Sequence, residues 1–401
     1  MTSFARRWAT AAALALSVVV AGTLAPPAAG ATPAYPTPLP DPFLAAPADI
    51  ATKAPGDILA TRRADTWLLP GSEVWQIKYR STNSAGQPIP AITTVIKPVG
   101  APTDMPVLSY QAIVNSLGLR CAPSAALFTG EIKDVFGLPL ALAMGWAVAI
   151  PDHLGPNSAY GAARLGGMIT LDGVRAVKRL PELRLSNSPV ALAGYSGGGM
   201  ATAWAAALNP TYAPDVTLAG VAQGGVPASI EQMAAGLGLA NQHPGFGLGF
   251  AAAMGLEREY PDRLPVSSQL KRRGIALRDE LKDECRSMII AKGLFHSVTD
   301  VANSTSLLQD QNTLAVMREN SLVEYAGVPT APVFMWHGAT DELTPYRSVV
   351  ETVDRYCKAG ATVEFVGYPI AEHMTNAVVG LPSAFMYLKD RFAGLPAPSN
   401  C

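Results

Sequence analysis

Apolar and polar residues alternate with a period of two along EVWQIKYRST (73–82) and IPAITTVIKP (89–98). The turn-forming stretches GSE and NSAGQP precede and join them, which predicts an antiparallel pair opening a sheet. Downstream the pattern changes. MPVLSYQ (105–111), WAVAIPDH (146–153), PVALA (189–193), DVTLAGVAQGG (215–225), APVFMWHGATD (331–341) and TVEFVGYPI (362–370) are short, nearly continuous apolar runs. Strands buried on both faces read this way. Between them apolar residues recur at helical spacing: around 135–145, in MITLDGVRAVKRL (168–180), and over 200–208, 345–358 and 376–392. Alternating strands and helices predict an α/β fold with a mostly parallel sheet covered on both faces.

One interval breaks the rhythm. The 105 residues from 226 to 330 separate two strands that an ordinary crossover would join with a few tens. This reads as an insertion above the carboxyl ends of the strands, a cap. Its stretch 232–256 holds no Asp, Glu, Lys or Arg, and NQHPG (241–245) divides it into two short pieces rather than one membrane span. Two readings stand: apolar helices packed on the core, or a lipid-facing wall for a substrate.

The amino terminus carries Arg6 and Arg7, an apolar stretch over 8–24 and Ala29-Gly30-Ala31. This is the pattern of a secretory signal peptide, residues 1–31, cut after Ala31 to leave 32–401 as the mature chain. The rival is an uncleaved anchor, but the run is short for a bilayer and Pro26 and Pro27 follow at once. The Pro-rich TPAYPTPLPDPFLAAP (32–47) is expected to lie extended over the surface.

Charge narrows the possibilities. Thirty basic and 31 acidic residues give a formal net charge of −1, with no global field to draw nucleic acid or an anionic membrane. The densest basic run, LKRRG (270–274), is balanced by RDELKDECR and reads as a solvated helix face. Cys121, Cys285, Cys357 and Cys401 are too widely spaced for a zinc site, and no metal is expected. In an exported chain four cysteines suggest two disulfides, with three possible pairings.

The candidate chemistry centres on VALAGYSGGGM (190–200). Gly194-Tyr195-Ser196-Gly197-Gly198 fits G-x-S-x-G, between an apolar strand run and an Ala-rich helix run. That context is a nucleophile elbow, in which the serine oxygen stands above the sheet on a tight turn. A serine needs an imidazole to take its proton, and a carboxylate to hold the imidazole. In an α/β-hydrolase the order is nucleophile, acid, base. Of the five histidines only His373, in YPIAEHMTN, lies beyond the last strand. Asp341, in the exit loop of the preceding strand, is the favoured acid because H-G-x-x-D commonly ends that strand, with Glu342 as its rival. His337 then packs and hydrogen-bonds at a strand end, His153 supports a loop or else lines the site, His243 and His296 receive no role, and Glu372 is a solvated loop charge. The expected oxyanion donors are the backbone N–H of Gly197 and, in the loop SYQAIVNSLGLRCAPS, the side chain of Asn115, which otherwise reads as a simple turn former.

Together LSYQ…RCAPS, IPDH, LDGVRAVK, LAGYSGGG, YAPDVTLAGVAQGG, WHGATDELTPY and YPIAEH resemble the secretory lipase family from about Pro40 to Cys401. The resemblance implies an α/β-hydrolase fold with a helical cap insertion (about 226–330), esterase or lipase activity and no cofactor. It also implies Ser196, Asp341 and His373 as the triad, and the disulfides Cys121–Cys285 and Cys357–Cys401. Two departures stand out. The family pattern has an aspartate where this chain has Asn115, and a flap beyond the last cysteine is expected to be missing here. The resulting expectation is a secreted, monomeric serine ester hydrolase acting on lipid or other esters, with transient contact with lipid surfaces. An acyltransferase using the same triad and a non-catalytic lipid-binding protein are the alternatives.

Overall fold

The computed structural model describes residues 32–64, 69–132, 137–236 and 241–401; the expected signal peptide lies outside the described residues. Nine strands form one sheet: β1 (Ile58–Arg63), β2 (Ser72–Thr82), β3 (Pro88–Pro98), β4 (Val107–Gln111), β5 (Ala147–Pro151), β6 (Val190–Tyr195), β7 (Leu218–Gly224), β8 (Val333–Gly338) and β9 (Val363–Tyr368). Their order is β1-β2-β3-β5-β4-β6-β7-β8-β9. The β1–β2, β2–β3 and β3–β5 pairs are antiparallel, and every later pair is parallel.

Among the described residues twelve α-helices accompany it: α1 (Pro123–Thr129), α2 (Gly137–Ala143), α3 (Ala163–Arg179), α4 (Gly197–Tyr212), α5 (Ile230–Gly236), α6 (Phe246–Glu259), α7 (Arg272–Leu281), α8 (Arg286–Gly293), α9 (Val298–Val301), α10 (Gln311–Glu319), α11 (Tyr346–Lys358) and α12 (His373–Phe392). Successive strand side chains point to opposite faces, so each buried strand feeds two cores. Val190 and Leu192 join a core with α3, α4 and α11, as do Val333 and Met335. Ala191, Ala193, Phe334 and Trp336 join a second core with α1, α2 and α12.

The structure departs from the sequence reading in several places. Strand β1 was not anticipated: ILATRR ends in two arginines, which suit an exposed edge. Helix α1 was also missed, and α12 starts at His373 rather than 376. Residues 226–330 hold α5 to α10 and no strand among the described residues. In α7, Arg272 and Arg273 are solvated as expected, but Arg278 is buried and donates to Thr32 O.

The Pro-rich segment does run over the surface, yet it is tied down along its length. Arg258 donates to Ala34 O at 2.8 Å, Asp283 accepts from Thr37 N and Oγ1 at 2.6 and 2.7 Å, and Arg62 pairs with Asp41 at 2.8 Å. It therefore links the helical insertion to the antiparallel edge of the sheet.

Candidate active site

Ser196 occupies the single residue between β6 and α4, with φ 54° and ψ −123°. A side-chain-bearing residue is strained there, and such strain persists only where the surroundings enforce it. The enforcement is visible. A Cβ on Gly197 would lie 1.9 Å from Asn115 Oδ1, and one on Gly198 would lie 1.9 Å from Gln111 O. The elbow is glycine-rich because the neighbouring loop closes directly on it.

His373 is the first residue of α12, and its ring bridges two partners. Nδ1 lies 2.7 Å from Asp341 Oδ2 and Nε2 lies 2.8 Å from Ser196 Oγ. A carboxylate only accepts, so Nδ1 carries the proton that points to Asp341, and Nε2 is left to accept the Ser196 hydroxyl proton. Asp341 Oδ1 accepts from the N–H groups of Leu343 and Thr344 at 2.9 and 2.8 Å. Burial pushes its carboxyl upward, but the hydrogen bond and charge of His373, the Thr344 N–H and nearby His337 outweigh this and hold it below the usual carboxylate range. The three groups are nearly dry: Ser196 is 7% exposed, His373 2%, and the Asp341 side chain 0%.

Asn115 lies in the loop after β4 at φ 44°, a conformation asparagine tolerates, and its carboxamide covers Gly197. Its buried Oδ1 has no hydrogen-bond partner among the described residues. Gly197 is the first residue of α4, so its N–H has no intrahelical acceptor. The Gly197 N–H thus stands beside Ser196 at the positive end of a helix, with Asn115 packed against the same glycine through Oδ1.

Ser196, Asn115, Asp341 and Glu342 open onto a cavity of about 340 Å³. Its walls come from the insertion, with Met233, Phe246, Phe250, Leu256, Leu307 and Met317 among them. The described part of the apolar stretch packs on the core and also walls this cavity.

Glu342, the rival acid, instead accepts from the backbone N–H of His373 at 3.0 Å. Glu372 is exposed but is more than a loop charge, for it caps α12 by accepting from Met374 N and Thr375 N. His337 is fully buried and donates through Nε2 to Thr344 O at 3.0 Å. His243 accepts from Gly245 N on the cavity wall, and His296 packs on Phe246.

At the end of β5 two neighbours titrate in opposite senses. Asp152 accepts from Ser124 N and Oγ at 2.8 and 2.5 Å, and burial raises its carboxyl to about 6. His153 is 2% exposed with no well-formed hydrogen bond at either ring nitrogen, and burial lowers it to about 4. Bridges join Cys121 to Cys285 and Cys357 to Cys401, the first tying the insertion to the β4 exit loop. Among the described residues no helix is long and apolar enough to cross a membrane, and no group of three or more His, Cys, Asp or Glu could hold a metal ion.

The secretory lipase family matches residues 125–400. The chain belongs to the secretory lipase family. Lipase A of Moesziomyces aphidis is 32% identical over 410 residues, spanning 96% of this chain and 88% of that protein. Secreted triacylglycerol lipase LIP2 of Malassezia furfur is 31% identical, spanning 91% of this chain and 82% of that one. The crystal structure of Candida antarctica lipase A in its closed state is similar with a TM-score of 0.84 at 31% identity, covering 91% of this chain and 90% of that one. The secretory lipase described here is thus an exported carboxylic ester hydrolase with an α/β-hydrolase fold.

Proposed function

We propose that this lipase cleaves acylglycerols and related lipid esters through a covalent acyl-enzyme, with Ser196 as nucleophile, His373 as base and Asp341 as the acid that orients it. Ser196 Oγ attacks the ester carbonyl while its proton passes to His373 Nε2, and Asp341 stabilises the imidazolium that forms. The oxyanion is received by Gly197 N–H and the Asn115 amide. The intermediate collapses as Nε2 returns the proton to the leaving alkoxide, and water repeats the sequence to release the acid. Residues 226–330 serve as a cap whose apolar walls hold the acyl chain, and residues 1–31 serve as the export signal. The enzyme is taken to work as a monomer.

The observation that carries this reading is the unbroken hydrogen-bond chain Asp341–His373–Ser196 opening onto an apolar cavity. Two measurements test it. A phosphonate ester should label Ser196 stoichiometrically and abolish activity, and a p-nitrophenyl ester series should show turnover persisting to long acyl chains. Labelling at another residue, or activity confined to acetate, would sink the assignment.

A further inference from the structure

The base is held by its backbone as well as by its ring. His373 opens α12, where the first turn of a helix has N–H groups without intrahelical acceptors. Glu372 takes those of Met374 and Thr375, while that of His373 goes to Glu342 Oε2 at 3.0 Å. On the other side the carbonyl of His373 accepts a short hydrogen bond from Tyr195 Oη. Tyr195 Oη in turn accepts from Asn376 Nδ2 at 3.0 Å, and Asn376 O accepts from Trp336 Nε1 at 3.2 Å.

The chain positions of these partners carry the argument. Tyr195 immediately precedes Ser196, and Glu342 immediately follows Asp341. Each segment that gives the imidazole a partner therefore also grips the main chain of the same histidine. Burial keeps the Tyr195 phenol protonated, so it remains a donor. Glu342 is exposed and has no ion-pair partner among the described residues, yet one of its oxygens is committed to a neutral backbone N–H.

We infer that Tyr195 and Glu342 are positioning residues that fix the Cα of His373, so that its ring can face Asp341 and Ser196 at once. The need arises when the ring is charged. An imidazolium is drawn towards Asp341, and a free helix end would let it follow, taking Nε2 away from the leaving oxygen. A clamp from both sides keeps the proton within reach of the group that must receive it. This inference rests on His373 being the base.

The test uses the full secreted enzyme and a soluble p-nitrophenyl ester. Glu342→Ala and Tyr195→Phe should each lower kcat about tenfold with KM within about twofold, because small displacements of a catalytic group are costly. Glu342→Gln, which keeps an acceptor oxygen for the His373 N–H, should recover most of the loss seen in Glu342→Ala. Wild-type kcat in folded Glu342→Ala overturns the proposal. So does a loss confined to KM, or a Gln variant as impaired as the Ala variant. Should Tyr195→Phe fail to fold, the Ala and Gln pair at exposed Glu342 decides alone. His373→Ala separates the underlying reading: activity there removes His373 as the base, whereas an inactive His373→Ala beside unimpaired clamp variants removes only the clamp.

Discussion

The carboxyl edge of the sheet and the helical insertion above it are built on opposite physical rules. At the sheet edge nearly every contact is directional: Asp341, His373 and Ser196 are joined at 2.7 and 2.8 Å, and glycines give up their side-chain volume so that loops can close. In the insertion the contacts are mostly apolar, with a small core of Phe246, Phe250, Met254, Leu277 and Ile289. Its main polar anchor, buried Arg258, donates to the carbonyls of Leu117, Asn157, Ser158 and Lys282 as well as Ala34. Bond-making chemistry needs atoms placed to fractions of an ångström, which hydrogen bonds supply. Receiving an alkyl chain needs volume without direction, which apolar packing supplies.

Substitutions at the directional edge should therefore cost turnover, and those in the apolar region should redistribute it among substrates. Ser196→Ala should lower kcat by about a millionfold while leaving the unfolding midpoint unchanged or higher, as read by ester hydrolysis and thermal denaturation. Next in size, Asp341→Asn should cost about ten-thousand-fold, because an amide there favours the wrong imidazole tautomer. Asn115→Asp tests the donor role proposed for Asn115. A carboxyl donates only while protonated, so its activity relative to wild type should fall as pH rises, towards a loss of about a hundredfold. A flat ratio across the pH profile would remove Asn115 from the oxyanion site.

The apolar side is probed by filling it. Ala253 lines the cavity from α6, and Ala253→Phe should lower the ratio of palmitate to butyrate ester hydrolysis about tenfold with butyrate turnover little changed. Equal losses on both esters would mean that the acyl chain does not enter between the helices of the insertion.

The sheet and the candidate site at its carboxyl edge were largely legible because their signals are local. Apolar runs mark strands buried on both faces, and an elbow needs its glycines next to its serine. His373 emerged because only one histidine follows the last strand. What escaped depends on contacts between distant residues or on backbone atoms. Glu342 meets the N–H of a residue 31 positions away, and no side-chain pattern announces that bond. Thr32 and Ala34 are held through their carbonyls, so their own side chains say nothing of it. Strand β1 was hidden by Arg62 and Arg63, which are polar because the strand forms the edge.

The Asp152–His153 pair at the end of β5 bears on how an exported enzyme meets acidity. His153, lowered by burial, contributes stability that is complete above about pH 6.5 and is lost as pH falls through about 4. Asp152, raised by burial, contributes stability that is complete below its ordinary value and is lost as pH rises through about 6. Each slope corresponds to about 3 kcal/mol, somewhat less for Asp152, which keeps some solvent contact. Adjacent in sequence and opposed in sign, the two act as a thermodynamic counterweight, flattening the response of the fold across mildly acidic surroundings. Chemical denaturation between pH 4 and 7 should expose the hidden slopes, with Asp152→Asn losing stability towards acid and His153→Gln gaining it.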